Sequence, residues 1–143
     1  MLAIASDQGG FALKQEILAH LQANNVEYND LGTYTEASTD YPIYAKKVAK
    51  AVLNGEAAQG ILICGTGIGI SMAANRFAGI RCALCHDVFS AKMTRLHNDA
   101  NVLALGGRVI GVGHALEIVD AFLATPFSGE ERHARRIRLI END

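Results

Sequence analysis

Residues 60–69 read Gly60-Ile61-Leu62-Ile63-Cys64-Gly65-Thr66-Gly67-Ile68-Gly69. The first half is an unbroken apolar run, the pattern of a strand covered on both faces, as in a parallel sheet. The second half puts glycine at three alternate positions. Such a loop leaves backbone N–H groups uncovered and free to curl around an anion, just ahead of a helix expected at residues 71–76. A buried strand, a glycine-rich loop and a helix in succession form the repeating unit of α/β folds.

Working outward, the same alternation continues in both directions. Leu2 to Ser6 reads as a strand broken by Gly9-Gly10. Residues 11–24 place Leu13, Ile17 and Leu21 four apart with Lys14, Gln15 and Gln22 between them, an amphipathic helix closed by Asn24-Asn25. Residues 26–31 form a weaker strand. Asp40-Tyr41-Pro42 starts a helix through Val48, Ala49 and Val52 that Gly55 ends. Downstream, residues 80–85 and 101–105 are further buried-strand segments, followed by helical stretches at 88–96 and 114–123. Pro126 precedes an arginine-rich helical segment at 129–140. Five such units predict a three-layer α/β/α sandwich: a Rossmann-like, five-stranded parallel sheet of order 2-1-3-4-5 with right-handed crossovers and a C-terminal helix. Ligands of such sheets bind beyond the carboxyl ends of the strands where the winding reverses, here between strands one and three. That position joins Asp7-Gln8-Gly9-Gly10 to the Cys64–Gly69 loop.

Composition narrows the possibilities. A chain of 143 residues, half apolar and with two prolines, is expected to form one domain over residues 1–143 without a linker. A formal charge of −2 offers no electrostatic reason to bind nucleic acid or an anionic membrane. No apolar stretch approaches the roughly 20 residues of a membrane span. The N-terminus runs into a strand with no basic segment or cleavage-like site, so a cytoplasmic location is expected. Three cysteines, all in or beside apolar runs, indicate reduced thiols rather than a disulfide framework. Cys82 and Cys85 have a redox-like spacing but fall inside a strand, where core packing is the better explanation. His20, His86 and His114 show no metal-ligand spacing, and no metal is expected.

The loop after Cys64 fits few common chemistries. A dinucleotide fingerprint needs glycine three places after Gly67, where Ile70 stands, and a phosphate-binding P-loop needs a Gly-Lys-Ser/Thr that is absent. Cysteine phosphatases need an arginine six residues after the nucleophile, again the place of Ile70. A thiolate facing main-chain donors suits removal of a proton beside a carbonyl to give an enediolate, as in sugar isomerisation. The competing reading makes Cys64 a small hydrophobe ending a strand. His97 can exchange protons near neutral pH, or can be a helix-end histidine bonded to backbone. Asp7 can share that proton work or cap the following helix. Arg132 and Arg136, four apart, share a helix face able to bind phosphate bidentately, or belong with Arg135 and Arg138 to a solvated surface.

Several segments together carry a family resemblance. They are Ser6-Asp7, Asp40-Tyr41-Pro42, the run from Gly60 through Cys64-Gly65-Thr66-Gly67 to Ser71, Asn75, Gly79-Ile80-Arg81, His97-Asn98-Asp99-Ala100-Asn101, Gly107-Arg108 and Arg132-His133. In this order and spacing the chain resembles type B ribose-5-phosphate isomerase nearly end to end. Galactose-6-phosphate isomerase subunits share part of the pattern. The resemblance implies interconversion of ribose 5-phosphate and ribulose 5-phosphate, with Cys64 moving a proton between C2 and C1. Thr66 and the amides of Gly65, Gly67 and Gly69 would hold the enediolate. Asp7 and His97 would open the furanose ring, Asn98 would lie beside the sugar hydroxyls, and Arg108, Arg132, His133 and Arg136 would clamp the phosphate. It further implies a homodimer, or a tetramer, with active sites shared between subunits, and no cofactor. One departure is Gln8, a substrate-side position where the family usually has histidine. Glutamine exchanges hydrogen bonds there but relays no proton. Allose 6-phosphate, galactose 6-phosphate or a shorter sugar phosphate remain alternative substrates, and a non-catalytic sugar-phosphate-binding protein is the alternative from another class.

Overall fold

The computed structural model describes residues 1–142. Its elements in chain order are β1 (Leu2–Ser6), α1 (Phe11–Ala23), β2 (Tyr28–Asp30), α2 (Tyr41–Leu53), β3 (Gln59–Cys64), α3 (Ile68–Ala74), β4 (Cys82–Leu84), α4 (Val88–Asn98), β5 (Val102–Gly106), α5 (Val112–Ala124) and α6 (Glu131–Glu141). The five strands form one parallel sheet with helices on both faces, as expected. The strand order is β2-β1-β3-β5-β4, which corrects the expected 2-1-3-4-5 by exchanging the last two strands. All five residues of β5 are buried, whereas β4 has three half-buried residues. The longer, wholly apolar strand therefore takes the interior place. The free edge of β4 is blunted by Asn75, whose side-chain amide donates to the Cys82 carbonyl (2.9 Å) and accepts the Cys82 N–H (2.8 Å), standing in for a further strand.

Strand pleating sorts the core into two layers of unequal bulk. Leu2, Ile4, Ile61, Ile63, Leu103 and Leu105 face α1, α4 and α5, packing with Ile17, Leu21, Ile118 and Phe122. Ala3, Ala5, Leu62, Cys64, Val102 and Ala104 face α2 and α3. Burial of each large aliphatic side chain contributes ~1.5–3 kcal/mol, so the first layer supplies more of the apolar stabilisation. The second lets its helices come close: Gly60 lies directly beneath Val48, where any Cβ would collide with that side chain. Cys64 points into this second, tighter layer.

One residue departs from the sequence pattern. Lys14, placed by periodicity among the polar positions of α1, is 0% exposed. Its Nζ donates to Asp30 Oδ1 and to the Thr33 carbonyl, both at 2.6 Å, and lies over the rings of Phe11 and Tyr34. A buried ammonium needs such partners, and here they tie α1 to β2 and the loop that follows. Cys82 and Cys85 are free thiols. Burial first and Cys85 second push the Cys82 thiol up, while burial first and Asp87 second push Cys85 up to about 11. These thiols stay protonated near neutral pH, in keeping with a packing role. Among the described residues no helix is long and apolar enough to cross a membrane.

Candidate active site

The parallel register of β1 and β3 sets Ser6 opposite Ile63, so Asp7 and Cys64 leave the sheet side by side. On the other flank Cys64 pairs with Gly106. Backbone hydrogen bonds continue past the strand ends: Asp7 N–H to the Ile63 carbonyl (3.2 Å), Gly107 N–H to that of Cys64 (2.8 Å) and Arg108 N–H to that of Gly65 (3.0 Å). Three loops thus meet main chain to main chain. A Cβ at Gly10 would stand 2.5 Å from the Ile63 carbonyl oxygen, and one at Gly107 would stand 2.7 Å from that of Gly9. Close approach, not unusual backbone angles, demands glycine at both. Gly67 is different, with φ +77° turning the chain into α3. That turn starts the helix at Ile68, three residues earlier than expected.

Cys64 is 5% exposed and its Sγ accepts the Gly67 N–H at 3.1 Å. The Gly67 amide is thereby directed at sulfur. Among the described residues, the amides of Gly65, Thr66 and Gly69 have no intrachain acceptor, while Thr66 Oγ1 accepts the Ile68 N–H (3.2 Å). Asp7 is buried, and its Oδ1 accepts from Gly9 N–H (2.9 Å) and Gly10 N–H (3.2 Å), bracing the turn. Gly10, not Asp7, caps α1. Gln8 Oε1 accepts the Thr39 N–H (3.0 Å), joining the first loop to the segment before α2. The Arg108 guanidinium lies over Gly65, with Nη1 3.4 Å from where a Cβ would be. Tyr41 packs its ring on Gly69, its Cζ 2.6 Å and its phenol oxygen 2.9 Å from a Cβ built there. In the sequence, Asp40-Tyr41-Pro42 marks a helix start and part of the family resemblance, with no site role given to Tyr41. Its aromatic member was the available sign of a second role beside the glycine loop.

The remaining predicted residues assemble elsewhere. Helix α4 runs back across the sheet, covering about 16 Å at 1.5 Å per residue over its 11 residues. His97 and Asn98 therefore sit at the end of the sheet where the strands begin. There Arg81, just before β4, donates to the Asn98 and Asp99 carbonyls (both 2.9 Å). His97 meets His133 of α6 with ring centroids 4.4 Å apart, and His97, Asn98, Arg132, His133 and Arg136 line a cavity of about 400 Å³. His133 is buried, and its pKa is held below the ordinary histidine value first by that burial and then by His97. Arg138 turns away to pair with Glu131 (2.6 Å). One chain thus carries two groups at opposite ends of its sheet: Asp7, Gln8, Cys64, Gly65, Thr66, Gly67, Gly69 and Arg108 at one, His97, Asn98, Arg132, His133 and Arg136 at the other. Arg108 stands apart from the arginines with which it was grouped.

Known proteins resemble this chain over almost its whole length. The model of the ribose/galactose isomerase family matches residues 2–140. Ribose-5-phosphate isomerase B of Escherichia coli (strain K12) is 52% identical over 139 residues, covering 97% of this chain and 93% of that protein. The crystal structure of a ribose 5-phosphate isomerase from Thermotoga maritima superposes with a TM-score of 0.97 at 53% identity, covering 99% of this chain and 97% of the other. The type B ribose 5-phosphate isomerase of Trypanosoma brucei gives 0.94 at 45% identity over 98% and 95%. With its parallel sheet, its thiol at the end of the central strand and matches of this extent, the chain belongs to the ribose/galactose isomerase family and is an aldose–ketose isomerase of the sugar-phosphate type.

Proposed function

We propose that the protein interconverts ribose 5-phosphate and ribulose 5-phosphate through an enediolate, with Cys64 as the base. The carrying observation is a sulfur aimed by the Gly67 amide (3.1 Å) into a loop whose Gly65, Thr66 and Gly69 amides have no intrachain partner. The Cys64 thiolate takes the C2 proton of the open-chain aldose. The C–H electron pair forms the C1–C2 double bond, and negative charge moves onto O1, where uncovered amides and Thr66 stabilise it. Movement of the O2–H proton to O1, together with return of the sulfur-held proton to C1, leaves the carbonyl on C2 and gives the ketose. Before this, ring opening requires one group to protonate the ring oxygen and another to take the anomeric hydroxyl proton, tasks suited to His97 and Asp7. Arg132 and Arg136 bind the phosphate, holding the reacting carbons in place from a distance.

These roles cannot meet within one chain, because Cys64 and His97 lie at opposite ends of the sheet. The reading therefore includes a homodimer in which a second copy sets its His97 pocket against the Cys64 loop. The cradle rim is suited to such a contact: Ile68, Met72, Phe89, Val109 and Val112 all leave apolar side chains exposed there, Met72 to 65% and Phe89 to 70%. Self-complementary faces of this kind produce two-fold dimers. Three free thiols fit a reducing, cytoplasmic setting.

The test is to incubate purified protein separately with ribose 5-phosphate, allose 6-phosphate and galactose 6-phosphate and to record ketose formation. Turnover is expected to be fastest with the pentose phosphate. The Cys64→Ala variant is expected to lose at least about 10³-fold in kcat while still binding substrate. A fully active Cys64→Ala protein would remove the base assignment. Faster turnover of a hexose phosphate would replace the substrate, and binding without turnover by the unaltered protein would favour a non-catalytic role.

A further inference from the structure

Ser128, in the segment between α5 and α6, forms three hydrogen bonds. Its N–H donates to the Leu96 carbonyl in the last turn of α4 (3.2 Å). Its Oγ accepts the Glu130 N–H (3.1 Å) and lies 2.7 Å from His133 Nδ1. One residue thereby links the end of α4, where His97 stands, to the start of α6.

Both ring nitrogens of His133 have a neighbour. Arg132 Nε, which can only donate, points at His133 Nε2 across a long 3.5 Å contact. A lone pair on Nε2 matches that donor, which places the proton of a neutral ring on Nδ1. Ser128 Oγ, with one lone pair taken by the Glu130 N–H, keeps a second lone pair able to accept that proton at 2.7 Å. The groups acting on the ring favour the uncharged state on balance. Burial disfavours the imidazolium most, followed by His97; Glu130 opposes them, and Arg132 and Arg136 add to the disfavour.

We propose that Ser128 is a positioning residue that holds His133 as its Nδ1–H tautomer, so that Nε2 stays an acceptor and keeps Arg132 in place beside His97. This rests on the isomerase reading, in which Arg132 binds the substrate phosphate. Without the Ser128 hydroxyl, the ring is free to place its proton on Nε2. Two donors would then face each other, leaving Arg132 only its exposed Glu130 ion pair (3.0 Å) and turning its Nε away from the ring.

The two nitrogen shifts of His133, measured by long-range proton–nitrogen NMR on ligand-free protein, read the tautomer directly. A protonated Nδ1 and an unprotonated Nε2 are expected in the unaltered protein and in Ser128→Thr, with that signature lost in Ser128→Ala. Kinetically, Ser128→Ala is expected to raise KM for ribose 5-phosphate about tenfold while kcat changes less than about twofold, and Ser128→Thr to restore KM. A protonated Nε2 in the unaltered protein, or an unchanged signature in Ser128→Ala, overturns the proposal, as does an unchanged KM in that variant. The NMR measurement needs no turnover, so an inactive unaltered protein would refute the isomerase reading while leaving the tautomer assignment to be decided separately.

Discussion

The Cys64 cradle and the His97 pocket lie at opposite ends of one sheet and are built by different means. The cradle is main chain against main chain: residues 7–10, 64–69 and 106–108 interlock through carbonyl and amide contacts that leave no space for a Cβ at Gly10 or Gly107. The pocket is side chain against side chain, with two imidazoles, two arginines and a serine brought together where α4 meets α6. Strand register holds the first in place. The second depends on tethers such as Ser128 to Leu96 and Arg81 to Glu141 (2.6 Å). Chemistry and stability are therefore joined at the cradle and separable at the pocket.

The most severe way to break this contrast is Gly10→Ala. Its methyl group would sit 2.5 Å from a strand carbonyl oxygen, and a loss of about 3 kcal/mol or more in urea unfolding is expected, together with turnover. His97→Ala, by comparison, should stay within about 0.5 kcal/mol of the unaltered protein while losing activity. Equal stability of the two variants would erase the distinction. A second measurement sharpens it by asking whether the two regions work across subunits. Cys64→Ala and His97→Ala are each expected to be nearly inactive, yet their co-expression should recover about a quarter of normal activity. Half of randomly paired dimers are mixed, and each mixed dimer retains one intact site. No recovery would mean that the pocket and cradle do not serve each other between copies.

The smallest expected effect concerns the pocket tether. The Arg81 hydrogen bond is the main cause holding the Glu141 carboxyl below its ordinary value of 4.5. A carboxyl depressed in the folded state contributes stability that is present above the unfolded pKa and is lost as pH falls through the folded one. Glu141→Gln should therefore cost about 1 kcal/mol near neutral pH and show a shallower loss of stability below pH 4.5. Parallel acid-unfolding profiles for the two proteins would argue against the tether.

Much of the cradle was readable in advance because its determinants are local. A continuous apolar run ending in Cys64, followed by alternate glycines, specifies a buried strand and an uncovered loop whatever surrounds it. Asp7 and Cys64 come together once the first and third strands are known to be adjacent and parallel. The order of the last two strands was not readable, since residues 80–85 and 101–105 have comparable apolar character. Their places depend on how many residues each pairs and on the Asn75 side chain that closes the edge. Periodicity likewise placed Lys14 among polar positions, because a helical pattern carries no record of Asp30 and the Thr33 carbonyl waiting 16 and 19 residues further on.

By itself, then, the sequence determined the parallel α/β architecture, the thiol at the mouth of a glycine loop and the family to which such a pattern belongs. Each follows from neighbours along the chain, where the period of apolar residues and the absence of Cβ atoms act directly. Tertiary structure alone decided that β5 lies inside β4, that Lys14 is buried and that the predicted site residues separate into two groups at opposite ends of the sheet. Those outcomes depend on contacts between residues distant in sequence, whose energies arise only once the helices and strands have packed.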